Sequence, residues 1–216
     1  LSTKKYWKEF YTKSELNQNE QFDWFLDAQT VCEQLDNVLD SNDKEPLRIL
    51  DIGCGASSIP STLCSYSHRP LDLHCVDFIQ SALCQQQSWL SRVKFKNPQT
   101  LTHFIVADVC RLPYKDTLFD VIIDKGTMDA LLKDRNSGNV NGRTMVFELA
   151  RVSQDNGTIL QISDEDPDIR LPLLESWSVS GAMVSVKWTS TVLKSFGSIE
   201  YFAFHGIVSR RPDINK

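Results

Sequence analysis

The chain predicts an α/β fold, a mostly parallel sheet with helices on both faces and an antiparallel pair of strands at its end. Three observations carry this. A short apolar run at 49–52 suits a strand buried on both faces, and further strands read at 71–78, 102–107, 118–123 and 158–162 alternate with helices. The first run stops at Gly53 and Gly55, which let a chain turn tightly and bring bare backbone against a ligand. Residues 184–188 and 200–208 alternate as an antiparallel pair does.

Size and composition set the class. A chain of 216 residues makes one domain with a proper core, and an apolar fraction of 41% with 24% charged residues excludes a disordered chain. A net charge of −5 counts against a nucleic-acid partner. No apolar run approaches the roughly 20 residues that span a bilayer, so no membrane role is expected. The six cysteines, at 32, 54, 64, 75, 84 and 110, form no Cys-x-x-Cys pair and read as reduced, mostly buried thiols. The four histidines, at 68, 74, 103 and 205, show no metal-ligand spacing, and no metal is expected. The chain begins at Leu1 rather than at a methionine, which leaves room for an organelle-targeting leader ahead of it.

In chain order, residues 1–25 are dense in aromatics: Tyr6, Trp7, Phe10, Tyr11, Phe22, Trp24 and Phe25. They read either as a hydrophobic lid packed on the domain or as flat faces that close a pocket. Residues 22–39 carry helical spacing, 41–45 form a polar break, and Pro46 leads into the first strand. After the glycine turn, Ser57 or Ser58 can cap a helix over 59–66. Strand, turn and helix N-terminus together make a nucleotide-type pocket at the carboxyl edge of a sheet. A dinucleotide fingerprint wants a third glycine where Ser58 stands, so a pyrophosphate is disfavoured and a nicotinamide oxidoreductase is the weakest reading. A nucleoside without phosphates needs no such approach, and S-adenosylmethionine fits better.

The second strand, 71–78, carries Asp77 roughly 20 residues past the glycines, where a carboxylate meets a ribose diol or caps a helix. A helix follows over 79–93. The third strand ends at Asp108-Val109, placed to meet an adenine or to cap a turn before Pro113. The fourth strand leads into Asp124-Lys125-Gly126-Thr127-Met128-Asp129 at the mouth of the same crevice. Charges there are costly to bury unless paired or used, and Asp124–Lys125 reads as an ion pair or as site chemistry. Residues 135–142 read as a flexible loop, 145–152 as helix ended by Asn156-Gly157, and 171–177 as a last short helix. The acidic run Ser163-Asp164-Glu165-Asp166-Pro167-Asp168 reads as a solvated loop or as one that receives a cation.

The motif over 50–55, with Asp77 and Asp108, resembles the S-adenosylmethionine-dependent methyltransferases whose Rossmann-like seven-stranded class I sheet ends in an antiparallel pair. Tyr6-Trp7, Phe22-Asp23-Trp24-Phe25, Asp124-Lys125-Gly126-Thr127 and Asp129-Ala130 look like the lysine methyltransferases of elongation factor 1A and citrate synthase. The run at 163–172, followed by Tyr201-Phe202-Ala203, is similar to the mitochondrial citrate synthase lysine methyltransferase family in particular. Met128 departs from the aromatic or leucine more usual there.

The resemblance implies a single methyltransferase domain: an aromatic lid and helix over 1–45, a cofactor-binding core over 46–209, and a frayed basic tail over 210–216. It implies cofactor contacts from Trp7, Tyr11, Trp24, Asp51, Gly53, Gly55, Asp77, Phe78, Asp108, Val109 and Lys125. Asp124, Asp129 and Asp164 are expected to orient the target lysine, with Thr127, Glu165 and Asp166 contacting the substrate. Citrate synthase is the expected protein substrate, the mitochondrial matrix the expected location, and a monomer the favoured state. The alternatives are an elongation factor 1A methyltransferase, a small-molecule methyltransferase and a non-catalytic S-adenosylmethionine-binding partner protein.

Overall fold

The computed structural model describes residues 3–12, 21–39, 45–180 and 184–211. In chain order these form α1 (Lys4–Thr12), α2 (Ala28–Glu33), α3 (Asp36–Leu39), β1 (Leu47–Ile52), α4 (Ile59–Tyr66), β2 (Leu71–Asp77), α5 (Gln80–Leu90) and β3 (Leu101–Val106). There follow β4 (Phe119–Lys125), α6 (Thr127–Leu132), α7 (Gly138–Val152), β5 (Ser153–Ser163), α8 (Pro167–Trp177), β6 (Val179–Ser180), β7 (Val184–Phe196) and β8 (Ile199–Arg210).

The strands lie in the order β3-β2-β1-β4-β5-β8-β7-β6. The first five are parallel, and β8, β7 and β6 add antiparallel pairs. This is the expected seven-stranded sheet with a two-residue eighth strand at its edge. Strand order reverses between β1 and β4, so a crevice opens beyond their carboxyl ends. Two apolar layers cover the sheet. One packs α2 and α4 on Ile49, Leu73 and Ile123; the other packs α7 and α8 on Leu50, Ile122 and Phe204. Alternate residues of each strand face opposite layers, which is why β1 and β4 are mostly apolar and, Arg48 and Asp120 apart, buried along their length.

Several boundaries differ from expectation. The helix expected over 22–39 is two short helices, because residues 21–27 run irregularly over the domain. Phe25 there takes a φ of 64°, and the Asp27 carboxylate caps α2 through Thr30 N at 2.9 Å. The loop expected over 135–142 is partly the start of α7. Gly142 serves close packing rather than a turn, since a Cβ there would stand 2.9 Å from the Trp177 ring. The Asn156-Gly157 signal is local: it marks an irregularity inside β5, where Phe119 pairs with Ser153 but Val121 already pairs with Thr158. Arg210, assigned to a frayed tail, ends β8, and its guanidinium donates to the carbonyls of Ala150, Arg151 and Ser153. The remainder of that tail from 212 lies outside the described residues.

Between β3 and β4 no helix intervenes. Residues 107–118 cross as a loop instead. Arg151 of α7 holds it by donating to the carbonyls of Tyr114 at 2.7 Å and Leu112 at 3.1 Å. Among the described residues, no helix is long and apolar enough to cross a membrane. All six cysteines are free thiols, with Cys84 exposed.

Candidate active site

A cavity of about 440 Å³ opens at the carboxyl ends of β1, β2 and β4, within the range of small-molecule sites. Its floor is the turn after β1. Gly53 and Gly55 take φ values of +58° and +49°, a left-handed conformation that side chains disfavour. Neighbours also demand the missing Cβ: at Gly55 it would meet Tyr11 Oη at 2.2 Å, and at Gly53 it would meet Thr127 Oγ1 at 2.0 Å. Gln86 of α5, wholly buried, donates to Ser57 O at 2.6 Å and holds the turn from behind. Ser58 holds the N-cap position of α4 but makes no side-chain capping bond; Ser57 Oγ, one residue earlier, accepts from Ile59 N at 3.2 Å.

Asp77 ends β2 beside that turn. Its two oxygens accept from Gly55 N at 3.1 Å and Ile79 N at 2.8 Å, which leaves acceptor capacity on each. Burial pushes its carboxyl up to about 6, with these backbone donors opposing. Asp51, 2% exposed, is pushed up to about 8 by burial, with the Lys125 charge opposing, and its Oδ2 has no partner among the described residues. A buried, unpartnered carboxylate oxygen beside a cavity suits a bound cation such as an amino acid's ammonium. Asp108 and Val109 follow β3 on the far side of the cavity, with Asp108 accepting from Cys110 N at 2.9 Å.

The roof is aromatic. α1 brings Trp7 and Tyr11 into a stacked pair at 6.0 Å, and Trp7 meets Trp24 edge-on at 6.1 Å. Burial pushes the Tyr11 hydroxyl above its ordinary range. What ties this roof down is Asp23. Its carboxylate accepts from Ser57 Oγ at 2.6 Å, Ser58 N at 3.1 Å, Ser58 Oγ and the Lys125 ammonium. Burial pushes Asp23 up, but Lys125 and these hydrogen bonds outweigh it and hold the group below its ordinary value.

The fourth wall is α6 with the end of β5. Asp129 lines it, accepting through Oδ1 from Arg170 Nη2 at 2.5 Å and Ser163 Oγ at 2.7 Å. Arg170 reaches there from α8 although it is only 1% exposed. Its Nη1 donates to Gln161 Oε1 at 3.1 Å, and Gln161 Nε2 donates to Asp124 Oδ2 at 2.8 Å. One buried polar chain therefore runs from Asp124 through Gln161 and Arg170 to Asp129.

All of the residues expected at the cofactor line this cavity: Trp7, Tyr11, Trp24, Asp51, Gly53, Gly55, Asp77, Phe78, Asp108, Val109 and Lys125. Thr127, Asp129 and Asp164 line it too. Asp124, Glu165 and Asp166 do not. Asp124 is fully buried behind the wall, accepting from Thr127 N at 2.9 Å at the start of α6. Burial, reinforced by the Asp129 charge, pushes its carboxyl up to about 6. Nor does it pair with Lys125. Adjacent strand residues face opposite sides of the sheet, so Lys125 turns to Asp23 and Asp124 to Gln161. Asp166 caps α8 by accepting from Asp168 N at 2.8 Å, and Glu165 N donates to Ser163 Oγ at 3.0 Å. Asp23, Gln161, Ser163 and Arg170 are site residues that the sequence reading did not single out.

Comparison with known proteins agrees with this geometry. The profile of a family described as methyltransferase domain matches residues 43–192. The mitochondrial citrate synthase-lysine N-methyltransferase of Homo sapiens is 34% identical over 92% of this chain and 83% of its own length. The eEF1A lysine and N-terminal methyltransferase of Mus musculus is 28% identical over 83% of this chain, which spans 24% of that protein. Among solved structures, N-methyltransferase NodS from Bradyrhizobium japonicum in complex with S-adenosyl-L-homocysteine superposes with a TM-score of 0.60 at 14% identity, covering 95% of this chain and 100% of that one. The chain belongs to the methyltransferase-domain family, and within it to the family of these citrate synthase-lysine N-methyltransferases.

Proposed function

We propose that this chain is an S-adenosylmethionine-dependent protein-lysine N-methyltransferase that methylates a lysine of citrate synthase in the mitochondrial matrix. The observation that carries the reading is the pairing of two features in one cavity: a glycine floor flanked by Asp51 and Asp77, and an opposite wall bearing Asp129 and Asp164. The names of the relatives that match over most of this chain support the substrate and the compartment.

The residues fit the cofactor. Asp77 has lone pairs left for two ribose hydroxyls, Asp51 Oδ2 suits the amino-acid ammonium, and Asp108 with Val109 suits the adenine edge and face. Trp7, Tyr11 and Trp24 exclude water from above. When bound, the cofactor supplies an electrophilic methyl group on a sulfonium.

The chain's remaining work is to prepare the acceptor. A free lysine has a pKa of about 10.4, so near neutral pH its deprotonation costs about 4 kcal/mol. Carboxylates recruit the ammonium but favour its charged form, while desolvation favours the neutral amine. Asp129 and Asp164 therefore bind and orient the lysine, and the proton leaves through water. Glu165 and Asp166, outside the cavity, meet the protein surface around that lysine. Asp124 acts from behind, by fixing the start of α6 and the Gln161–Arg170 chain.

Purified citrate synthase and elongation factor 1A, each incubated with this chain and S-adenosylmethionine, test the reading by intact-mass spectrometry. A methyl mass on citrate synthase lysine alone supports it. Labelling of elongation factor 1A alone, or of neither protein while a small molecule in a mitochondrial extract is labelled, contradicts it.

A further inference from the structure

Away from the cavity, the fold assembles a group that the sequence keeps apart. Asp72 and His74 lie on β2, and His103 lies on β3 directly opposite His74 in the parallel register. Asp72 and His103 are 31 residues apart in sequence, so no short-range spacing announces them. All three side chains point to one face of the sheet. Both imidazoles present Nε2 to the same oxygen, Asp72 Oδ1, at 2.9 Å from His103 and 3.3 Å from His74. One potential ligand atom from each of the three lies within 4.8 Å of the others.

We propose that Asp72, His74 and His103 form a binding site for a zinc-class divalent ion, distinct from the methyl-transfer cavity. Tetrahedral ligands about 2.1 Å from an ion stand about 3.4 Å from one another, so the observed oxygen–nitrogen separations are near those of a loaded site. Two imidazoles and one carboxylate are a zinc ligand set, with water completing it. The Tyr114 hydroxyl lies 3.2 Å from His74 Nδ1. It can accept a hydrogen bond from Nδ1–H and so leave the Nε2 lone pair for the ion, as outer-sphere partners of metal-bound histidines do. Arg48 Nε lies 3.8 Å from the other oxygen of Asp72.

The imidazoles now stack, with centroids 4.4 Å apart and planes 26° apart, so one ring must tilt to aim its lone pair inward. His103 is free to do so, since its side chain is 44% exposed, whereas His74 is held between Tyr114 and Phe119. The place is open for a structural reason. Among the described residues no helix joins β3 to β4, and the loop between them lays Tyr114 against His74 and Phe119. Asp72 also lies roughly 16 Å before Asp77 along β2, too far to touch the methyl-transfer cavity. An ion here would cross-link the edge strand β3 to β2.

Titrating the metal-free chain with Zn²⁺ by calorimetry, and with Co²⁺ by absorption, tests this. The expected result is one equivalent bound, with a Co²⁺ spectrum free of thiolate charge-transfer bands. Affinity should fall at least roughly tenfold in His103→Ala and in Asp72→Asn, and about tenfold in Tyr114→Phe. Cys84→Ser should bind as the parent does, and His103→Ala should keep its methyl-transfer rate and its circular dichroism. Absence of saturable binding, binding undiminished in His103→Ala, or a thiolate band lost in Cys84→Ser would each overturn the proposal.

Discussion

Arg170 and Asp129 form a buried ion pair at 2.5 Å that joins α8 to the wall of the cavity, and it engages only Oδ1 of the carboxylate. A charged pair this far from water holds its geometry because either partner alone would be costly. Replacing Arg170 with Met should therefore destabilise the fold by about 3–5 kcal/mol, read by chemical denaturation. Replacing both residues, as Arg170→Met with Asp129→Leu, should recover part of that stability but none of the methyl transfer. Recovery of activity along with stability would mean that the pair is only structural.

Asp129→Asn keeps the shape of the side chain and removes its charge; because it also leaves Arg170 without its anion, stability should fall and kinetics are read at a temperature where the variant is folded. The expected outcome is a KM for the protein substrate raised roughly 10- to 100-fold, the worth of one hydrogen bond to a charged group. The dissociation constant for S-adenosylmethionine should not change. Steady-state kinetics against the protein substrate, paired with a cofactor titration, separates the two.

Cofactor affinity should depend on Asp77 and on pH together. Folding raises this carboxyl from 3.8 to about 6. Its contribution to fold stability is therefore full at low pH and is lost as pH rises through about 6, whereas ribose binding needs the ionised form. Affinity for S-adenosylmethionine should fall as pH drops below about 6, and the fall should vanish in Asp77→Asn, whose affinity is already weaker at every pH. Fluorescence titration across that range, using Trp7 and Trp24 in the roof, reports it.

The Asp51 carboxyl, pushed up to about 8, is mostly protonated at neutral pH in the ligand-free protein. An ammonium beside it favours the ionised form, so binding S-adenosylmethionine at pH about 7 should release close to one proton. Calorimetry in two buffers of different ionisation enthalpy measures that proton directly. Equal heats in both would remove Asp51 from the ammonium site.

Lys125→Met tests the latch on the aromatic roof. It leaves Asp23 without its cation, with a loss of about 3 kcal/mol in stability and a weaker hold on the cofactor. Limited proteolysis should then cut around α1 sooner than in the parent. Unchanged cutting would mean that Ser57 and Ser58 hold the roof without Lys125.

The sequence made the sheet legible because burial on both faces writes itself into β1 and β4 as short, mostly apolar runs, and because Gly53 and Gly55 announce a turn. It made the cofactor side legible for the same reason: those residues sit at strand ends whose order the topology dictates. The opposite wall was harder. Arg170 lies in a helix, two residues after the acidic run, and nothing local says that it turns inward to Asp129. Asp124 and Lys125 are neighbours in sequence, yet the two-residue period of a strand sends them to different partners. Gly142 read as a loop signal because a packing glycine and a turn glycine look alike until Trp177 is seen against it.

The central claim is that S-adenosylmethionine occupies the cavity between the glycine turn and the Asp129 wall. Isothermal titration of S-adenosylmethionine into the purified, folded chain tests it most directly. The expected result is saturable binding of one equivalent that Asp77→Ala weakens at least roughly tenfold. Absence of saturable binding in buffers of different ionisation enthalpy, or equal affinity in Asp77→Ala, would contradict it.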